Sequence, residues 1–315
     1  MRAVSLPTMH AALSAATAQC LSPAKINLCL RIVGRRADGY HELDSIFAAI
    51  DLCDRIDIHA TDVREQRDVS VRVRCDRSDV PSDATNLAAR AAAIVLAERG
   101  LGGDVDLAIT KHIPPGAGLG GGSSNAATVL TTLNDMLGLG VSGARLHALA
   151  LALGADVPFF LTGGCARVRG IGERVDLIPG WPGRALVLAL PPVSVATAWA
   201  FRTYAAGLFP NADEAARMAG QPTLEPALLR NDLESAVLPA HPEIGRLKES
   251  FVASGATGAV MSGSGSAVMG LVPDGTPAET VAAALRDRHP EVVVWVVRIL
   301  PPGPPPSVDP TPSYP

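Results

Sequence analysis

The chain has 315 residues, 48% of them apolar and 4% aromatic, and a formal net charge of −4. That length and apolar content can bury a large core and divide most naturally into two domains of a soluble globular protein. The arginines are scattered rather than gathered into a basic stripe, which argues against nucleic acid as a partner, and no apolar run approaches the roughly 18 residues that span a bilayer.

Residues 1–20, MRAVSLPTMHAALSAATAQC, carry Arg2 and an A-x-A-like end. Pro7, His10 and repeated Ser and Thr spoil the apolar centre of a signal peptide, so a disordered N-terminal extension is expected. AKINLCLRIVG (24–34) predicts a strand and RADGY (36–40) a turn in which Asp38-Gly39 favours a hairpin. RIDIHA (55–60) and VSVRVRC (69–75) alternate as half-buried strands do. NLAARAAAIVLAERG (86–100) predicts a helix stopped by Gly100. VDLAITKHI (105–113) predicts a strand that runs into a glycine stretch, and SNAATVLTTLNDMLGLG (124–140) the helix after it.

A further helix is predicted up to Gly154, with a break at Asp156 and Pro158. The Gly-Pro patch IPGWPGRA (178–185) marks the expected domain boundary. Beyond it LVLALP and EVVVWVVRIL read as strands, with helices near 196–206, 243–253 and 277–288, so the second domain is mixed α+β. PPGPPPSVDPTPSYP (301–315) is expected to be a proline-rich tail. Cys20, Cys29, Cys53, Cys75 and Cys165 are odd in number, irregularly spaced and contain no CxxC pair. They suit neither a disulfide framework nor a zinc site, and reduced thiols in a cytoplasm are expected.

IPPGAGLGGGSSNAA (113–127) sits between a strand and a helix. A helix N-terminus exposes backbone N–H groups, and glycines let those groups wrap an anion, so this unit predicts a phosphate cradle. Gly116, Gly118 and Gly121 satisfy GxGxxG, but the acid a dinucleotide fold would want some twenty residues on falls mid-helix. A Walker loop would need a lysine after Gly122, where Ser123 stands. A glycine-serine loop of backbone and hydroxyl donors remains. MSGSGSAVMG (261–270) lies between two apolar runs, as a hairpin turn or a ligand contact.

Only three lysines exist, Lys25, Lys111 and Lys248. Lys25, inside an apolar strand, is either a functional cation or a strand-end charge reaching solvent. Asp156, beside Pro158 and two phenylalanines, suits proton abstraction or caps a turn. Tyr40 and His41 offer two rings at a turn, for a flat ligand or for nothing in particular.

Three segments in this order resemble the GHMP kinase superfamily: PAKINLCLRIVGRRADGYHELDSIF (23–47), PPGAGLGGGSSNAATVL (114–130) followed by LGADVPFF (153–160), and MSGSGSAVMG (261–270). P-A-K-x-N-L combined with R-A-D-G-Y-H and G-A-D-V-P resembles, within it, the kinases of the non-mevalonate isoprenoid pathway. The resemblance implies an α+β, two-domain GHMP kinase fold. A ribosomal-S5-like ATP-binding domain would span 21–178, and a ferredoxin-like domain 179–300. It implies ATP, carried as MgATP, phosphorylating the 2-hydroxyl of a small-molecule cytidine diphosphate substrate, with neither nucleic acid nor membrane as partner.

By position, the resemblance makes Asp156 the general base and Lys25 the cation that orients the hydroxyl. Asn86 would stand on the adenine side. Pro114, Pro115, Gly116, Ala117, Gly118, Leu119, Gly120, Gly121, Gly122, Ser123 and Ser124 would hold the ATP phosphates. Asn27, Tyr40 and His41 would take the cytidyl substrate, with Tyr40 stacking and His41 bonding the cytosine edge. Gly263, Ser264, Gly265 and Ser266 would support the site from the second domain. Pro115 stands where many relatives have methionine, and the magnesium ligands are left unassigned.

Overall fold

In a computed structural model, which describes residues 13–204 and 213–303, two long strands form the spine. β1 (Leu13–Arg35) and β2 (His41–Glu65) pair antiparallel from Leu13↔Val63 to Arg35↔His41. The turn between them closes by a Gly39 N–H bond to the Arg36 carbonyl (3.0 Å), and the Asp38 carboxylate accepts the Tyr40 N–H (3.2 Å). Gly39 takes φ +90°, which is why glycine follows the aspartate there.

Residues 13–20 are not a disordered extension but the first part of β1, a correction to the sequence reading. Ala16 and Ala18 pair with Ala60 and Ile58 and pack against the core. Their alternation with Thr17 and Gln19 was a weak signal because alanine buries little surface. Residues 1–12 lie outside the described residues, as do 304–315 of the predicted proline-rich tail.

β3 (Val69–Cys75), α1 (Leu87–Ala97), β4 (Leu101–Thr110), α2 (Gly121–Met136), α3 (Gly143–Leu153), α4 (Val157–Phe160), β5 (Cys165–Gly170) and β6 (Arg174–Ile178) complete the first half. The second half contains β7 (Ala185–Leu190), α5 (Thr197–Thr203), α6 (Glu214–Ala219), β8 (Arg230–Asn231), α7 (Glu234–Ala240), α8 (Pro242–Ala253), β9 (Gly258–Met261), β10 (Val268–Leu271), α9 (Ala278–Arg288) and β11 (Val293–Arg298). Among the described residues the first sheet runs β3-β4-β2-β1-β8, with β5 on β2 and β6 on β5. The second runs β11-β7-β10-β9.

Alternation along β2 divides its side chains between two layers. Phe47 and Ala49, then Ile56, Ile58 and Ala60 beyond a bulge at Ile50–Cys53, pack with α1, α2 and α3. Ile46, Ala48 and Ile50 face the second sheet, where they meet Leu186, Leu188, Met269 and Val297 together with Ala24, Ile26 and Leu28 of β1. On β1, Lys25 and Asn27 alternate with these apolar residues and therefore look toward the start of α2. A third layer, α8 and α9, covers the far face of the second sheet through Leu247, Phe251, Val281 and Leu285.

Two boundaries differ from the sequence reading in ways that matter for the site. β4 ends at Thr110, and α2 begins at Gly121 rather than Ser124. Glycine and serine disfavour a helix interior, so the first turn of α2 is set by its surroundings rather than by propensity.

Candidate active site

The cleft between the two halves has a volume of about 1160 Å³. At its base lies Lys25, 3% exposed. Its Nζ donates to Asn27 Oδ1 (2.6 Å), stands 3.7 Å from Asp156 Oδ2 and lies 4.6 Å from the centre of the Phe47 ring. Burial pushes the Lys25 amine down from the ordinary lysine value of 10.5, and the Asp156 carboxylate pulls it back up. The lysine is thus not a strand-end charge reaching solvent. Nor does Asp156 cap its turn: it occupies the N-cap position of α4, but its side chain makes no capping bond and is 36% exposed toward the cleft.

Asn27 is held from three directions. Its Nδ2 donates to Ser45 Oγ (3.0 Å), its Oδ1 accepts from Lys25, and its backbone N–H donates to Ser262 Oγ (3.2 Å). Strand alternation puts Lys25 and Asn27 on one face. Burial with complete hydrogen bonding then fixes their rotamers, which is what a positioned reactive group requires.

The glycine loop forms the adjacent wall. The carbonyl oxygens of Ala117, Gly118 and Leu119 all turn into the protein. They accept, in order, from Ala267 N–H (3.2 Å), Ser262 Oγ–H (3.1 Å) and Lys25 N–H (2.9 Å). The N–H groups of Gly121, Gly122 and Ser123, in the first turn of α2, lack partners within the helix. Carbonyls tied inward and amides left at a helix N-terminus are the arrangement that an anion cradle requires. Gly118 (φ +78°) allows this, because a Cβ there would lie 2.1 Å from the Ser262 carbonyl oxygen.

Pro114 through Ser123 line the cleft; Ser124 does not. Its side chain is fully buried and bonded to Ser22 Oγ (2.7 Å). Gly263 and Ser264 reach the cleft, whereas Gly265 and Ser266 stand behind them, Ser266 bonded to the Val193 carbonyl. MSGSGSAVMG is thus both a hairpin, closing β9 onto β10 through Ser262 N–H and the Ala267 carbonyl (2.8 Å), and a wall of the site. Asn86 also lines the cleft, with its side chain engaged as the α1 cap, accepting from Ala88 N–H (2.9 Å) and donating to the Pro81 carbonyl (2.7 Å).

Tyr40 and His41 stand at the other end. Tyr40 is 61% exposed at the cleft rim. The His41 ring lies 5.4 Å from that of Phe201 and 6.3 Å from that of Tyr204, both on the cleft wall. Burial, then the Arg35 charge, lowers the His41 pKa from its ordinary 6.5. Phe201 was missed in the sequence, where TAWAFRT reads only as a short helix.

A buried polar group under the cradle was missed as well. Asp54, wholly buried, accepts the N–H groups of His112 and Ile113 (2.9 Å each), bonds Asn125 Nδ2 (3.0 Å) and pairs with Lys111. Lys111 Nζ comes within 3.0 Å of where a Cβ on Gly121 would sit. The loop has no lysine of its own, but one reaches it from the end of β4; its rarity in the composition was the available signal.

Comparison with known proteins fits this geometry to a family. A model of the GHMP kinases N terminal domain matches residues 86–164, and a model of the GHMP kinases C terminal region matches 206–291. The chain belongs to the GHMP kinases. It is 44% identical over 275 residues to the 4-diphosphocytidyl-2-C-methyl-D-erythritol kinase of Geobacter metallireducens, covering 87% of this chain and 96% of that relative. The enzyme of that name from Gloeobacter violaceus is 42% identical over 279 residues, covering 85% and 90%. A crystal structure of 4-(cytidine 5'-diphospho)-2C-methyl-D-erythritol kinase has a TM-score of 0.68 at 36% identity, covering 89% of this chain and 99% of the other. Within the GHMP kinases, the chain belongs to the family these relatives form. A homoserine kinase from Cytophaga hutchinsonii has a TM-score of 0.71 at only 19% identity, covering 95% and 99%, a likeness of fold alone.

Proposed function

We propose that this chain is an ATP-dependent kinase that phosphorylates the 2-hydroxyl of 4-diphosphocytidyl-2-C-methyl-D-erythritol, a step in non-mevalonate isoprenoid precursor synthesis. The relatives carry the activity, and one observation ties it to these residues. The Lys25–Asp156 pair stands between an anion cradle and a ring-lined pocket, where a phosphoryl group and an acceptor hydroxyl would meet. ATP phosphates lie against the amides of the glycine loop, with the adenine toward Asn86. The cytosine lies against Tyr40, His41 and Phe201, and Arg35 and Arg202 on the same wall offer positive charge to the diphosphate.

In phosphoryl transfer the protein chiefly positions the groups in line and stabilises spreading negative charge. Asp156 takes the proton of the attacking hydroxyl. Lys25, held by Asn27, fixes that hydroxyl and offsets charge at the reacting centre. Among the described residues no group of three His, Cys, Asp or Glu is placed to hold a metal alone. Ser123 and Asp156, which line the cleft, are the side-chain oxygens that would hold a magnesium ion carried in with ATP. When bound it would neutralise charge on the β- and γ-phosphates.

Among the described residues no helix is long and apolar enough to cross a membrane, and all five cysteines are free. Free thiols support a reducing compartment, the cytoplasm. ADP release measured with the cytidyl substrate, homoserine and mevalonate side by side tests the assignment. Turnover only with the first is expected; turnover with either of the others and not the first would refute it.

A further inference from the structure

The two-residue strand β8 carries a side chain that lies outside the cleft yet is bonded to the loop that forms one of its walls. Asn231 is 4% exposed. Its backbone adds to the first sheet beside β1, Leu30 opposite Asn231, and its side chain crosses to the second half of the molecule. Nδ2 donates to the carbonyl oxygens of both Met261 and Gly263 (2.7 Å each), while Oδ1 accepts the Leu233 N–H (3.0 Å). Two carbonyls on one side and an N–H on the other permit only one orientation of the amide.

The two carbonyls flank Ser262, which is fully buried. Its Oγ accepts the Asn27 N–H (3.2 Å) and donates to the Gly118 carbonyl (3.1 Å). One amide thus brackets the residue whose hydroxyl ties the catalytic strand to the glycine loop. Gly263 presses on the same point, since a Cβ there would lie 3.1 Å from the Gly118 oxygen.

We infer that Asn231 is a positioning residue for phosphoryl transfer: it holds the β9–β10 loop so that Ser262 sets Asn27 and the glycine loop in register with each other. The inference rests on the kinase assignment above. Asn231 is not among the residues that line the cleft, so it acts through Ser262. Without its amide two buried carbonyls lose their donor, and the hydroxyl they flank is free to turn away. The aromatic wall at Tyr40 and His41 stands on other elements and keeps its geometry.

The test compares Asn231→Ala with wild type in turnover and in calorimetric affinity for ATP and for the cytidyl substrate. In folded variant, kcat and ATP affinity are expected to fall about 10- to 100-fold, the scale of a small misplacement of reacting groups. Affinity for the cytidyl substrate should stay within about twofold, and Asn231→Ala with Ser262→Ala should lose little more than the worse single variant, because both break one chain of contacts. Wild-type kcat and ATP affinity in Asn231→Ala, or losses that add in the double variant, would overturn the inference. If Asn231→Ala does not accumulate folded, Asn231→Asp removes the donor at constant size and is read by the same outcomes. A wild type inactive toward the cytidyl substrate would fail the kinase assignment alone, since the ATP affinity of the variant still tests the bracket.

Discussion

Lys25 carries a charge that its burial penalises. Its ammonium is buried beside Phe47, its carboxylate partner is 3.7 Å away, and burial outweighs that partner in setting its protonation. An apolar side chain of similar volume removes the cost of burying that charge, but it also takes the lysine donor from the buried Asn27 Oδ1, while Asp156, 36% exposed, keeps water. Because these two effects oppose each other, Lys25→Met is expected to abolish ADP release while melting close to the wild-type temperature; a clearly lower melting temperature would show that the ammonium supports the fold. The pH dependence has a definite sign. With a folded value below 10.5, the unfolded chain binds the proton more readily, so wild-type stability gains from this residue as pH rises through that window, and the variant lacks the gain. Asp156→Asn should keep ATP affinity and lose about 100-fold or more in turnover, the scale of a missing general base; near-normal turnover would remove it from that role. His41→Ala should raise KM for the cytidyl substrate and leave KM for ATP unchanged, because the ring packs with Phe201 at the end of the cleft away from the loop. Equal rises in both would place His41 in general packing instead.

At the scale of elements, the site is made where two loops press together. Gly118 meets Ser262 so closely that any Cβ would overlap the carbonyl oxygen, and φ +78° disfavours every other residue besides. Gly118→Ala should therefore cost about 1–3 kcal/mol of stability and weaken ATP binding. Thermal melts with ATP calorimetry check this, and a variant with both unchanged would mean the loops can separate freely. Gly121 is a different case. Its missing Cβ makes room for Lys111 and Ile113 rather than for phosphate, which local sequence could not reveal. The glycine run, the lysine in an apolar strand and the Asp-Gly turn were legible because each is a short-range signal with one physical cause. The bracket on Ser262, the Asp54–Lys111 pair and the ring contact of His41 with Phe201 were not. Their partners are far apart in the chain, Asn27 and Ser262 by 235 positions, and nothing in either segment alone names the other.

For the whole molecule, fold and specificity separate. A homoserine kinase shares this architecture at a TM-score of 0.71, so topology alone does not choose the acceptor, and the cytosine wall proposed at Tyr40, His41 and Phe201 is where that choice is expected to be made. The α+β class was legible from the order of strand and helix periods. The extent of β1 before residue 20 was not, and neither was the sharing of one core by both halves. Apart from β8, the strands of the first sheet end at Ile178 and those of the second begin at Ala185, yet Ala24, Ile26, Leu28, Ile46 and Ile50 bury their outer faces against Leu186, Leu188, Met269 and Val297. Trp181, in the connecting Gly-Pro patch, is buried in the same cluster. Exposing the four large aliphatics of β1 and β2 would cost about 1.5–3 kcal/mol each, roughly 6–12 in all. That is comparable with the whole stability of a typical domain, about 5–15 kcal/mol. We therefore expect residues 1–178 expressed alone to melt without a cooperative transition and to bind a hydrophobic dye, as chains with exposed core do. Co-expression with 179–315 should restore both a single sharp transition and ADP release. A cooperative melt of 1–178 by itself would show instead that the helices on the opposite face suffice to hold the first sheet, and that the second half is needed only to complete the cleft.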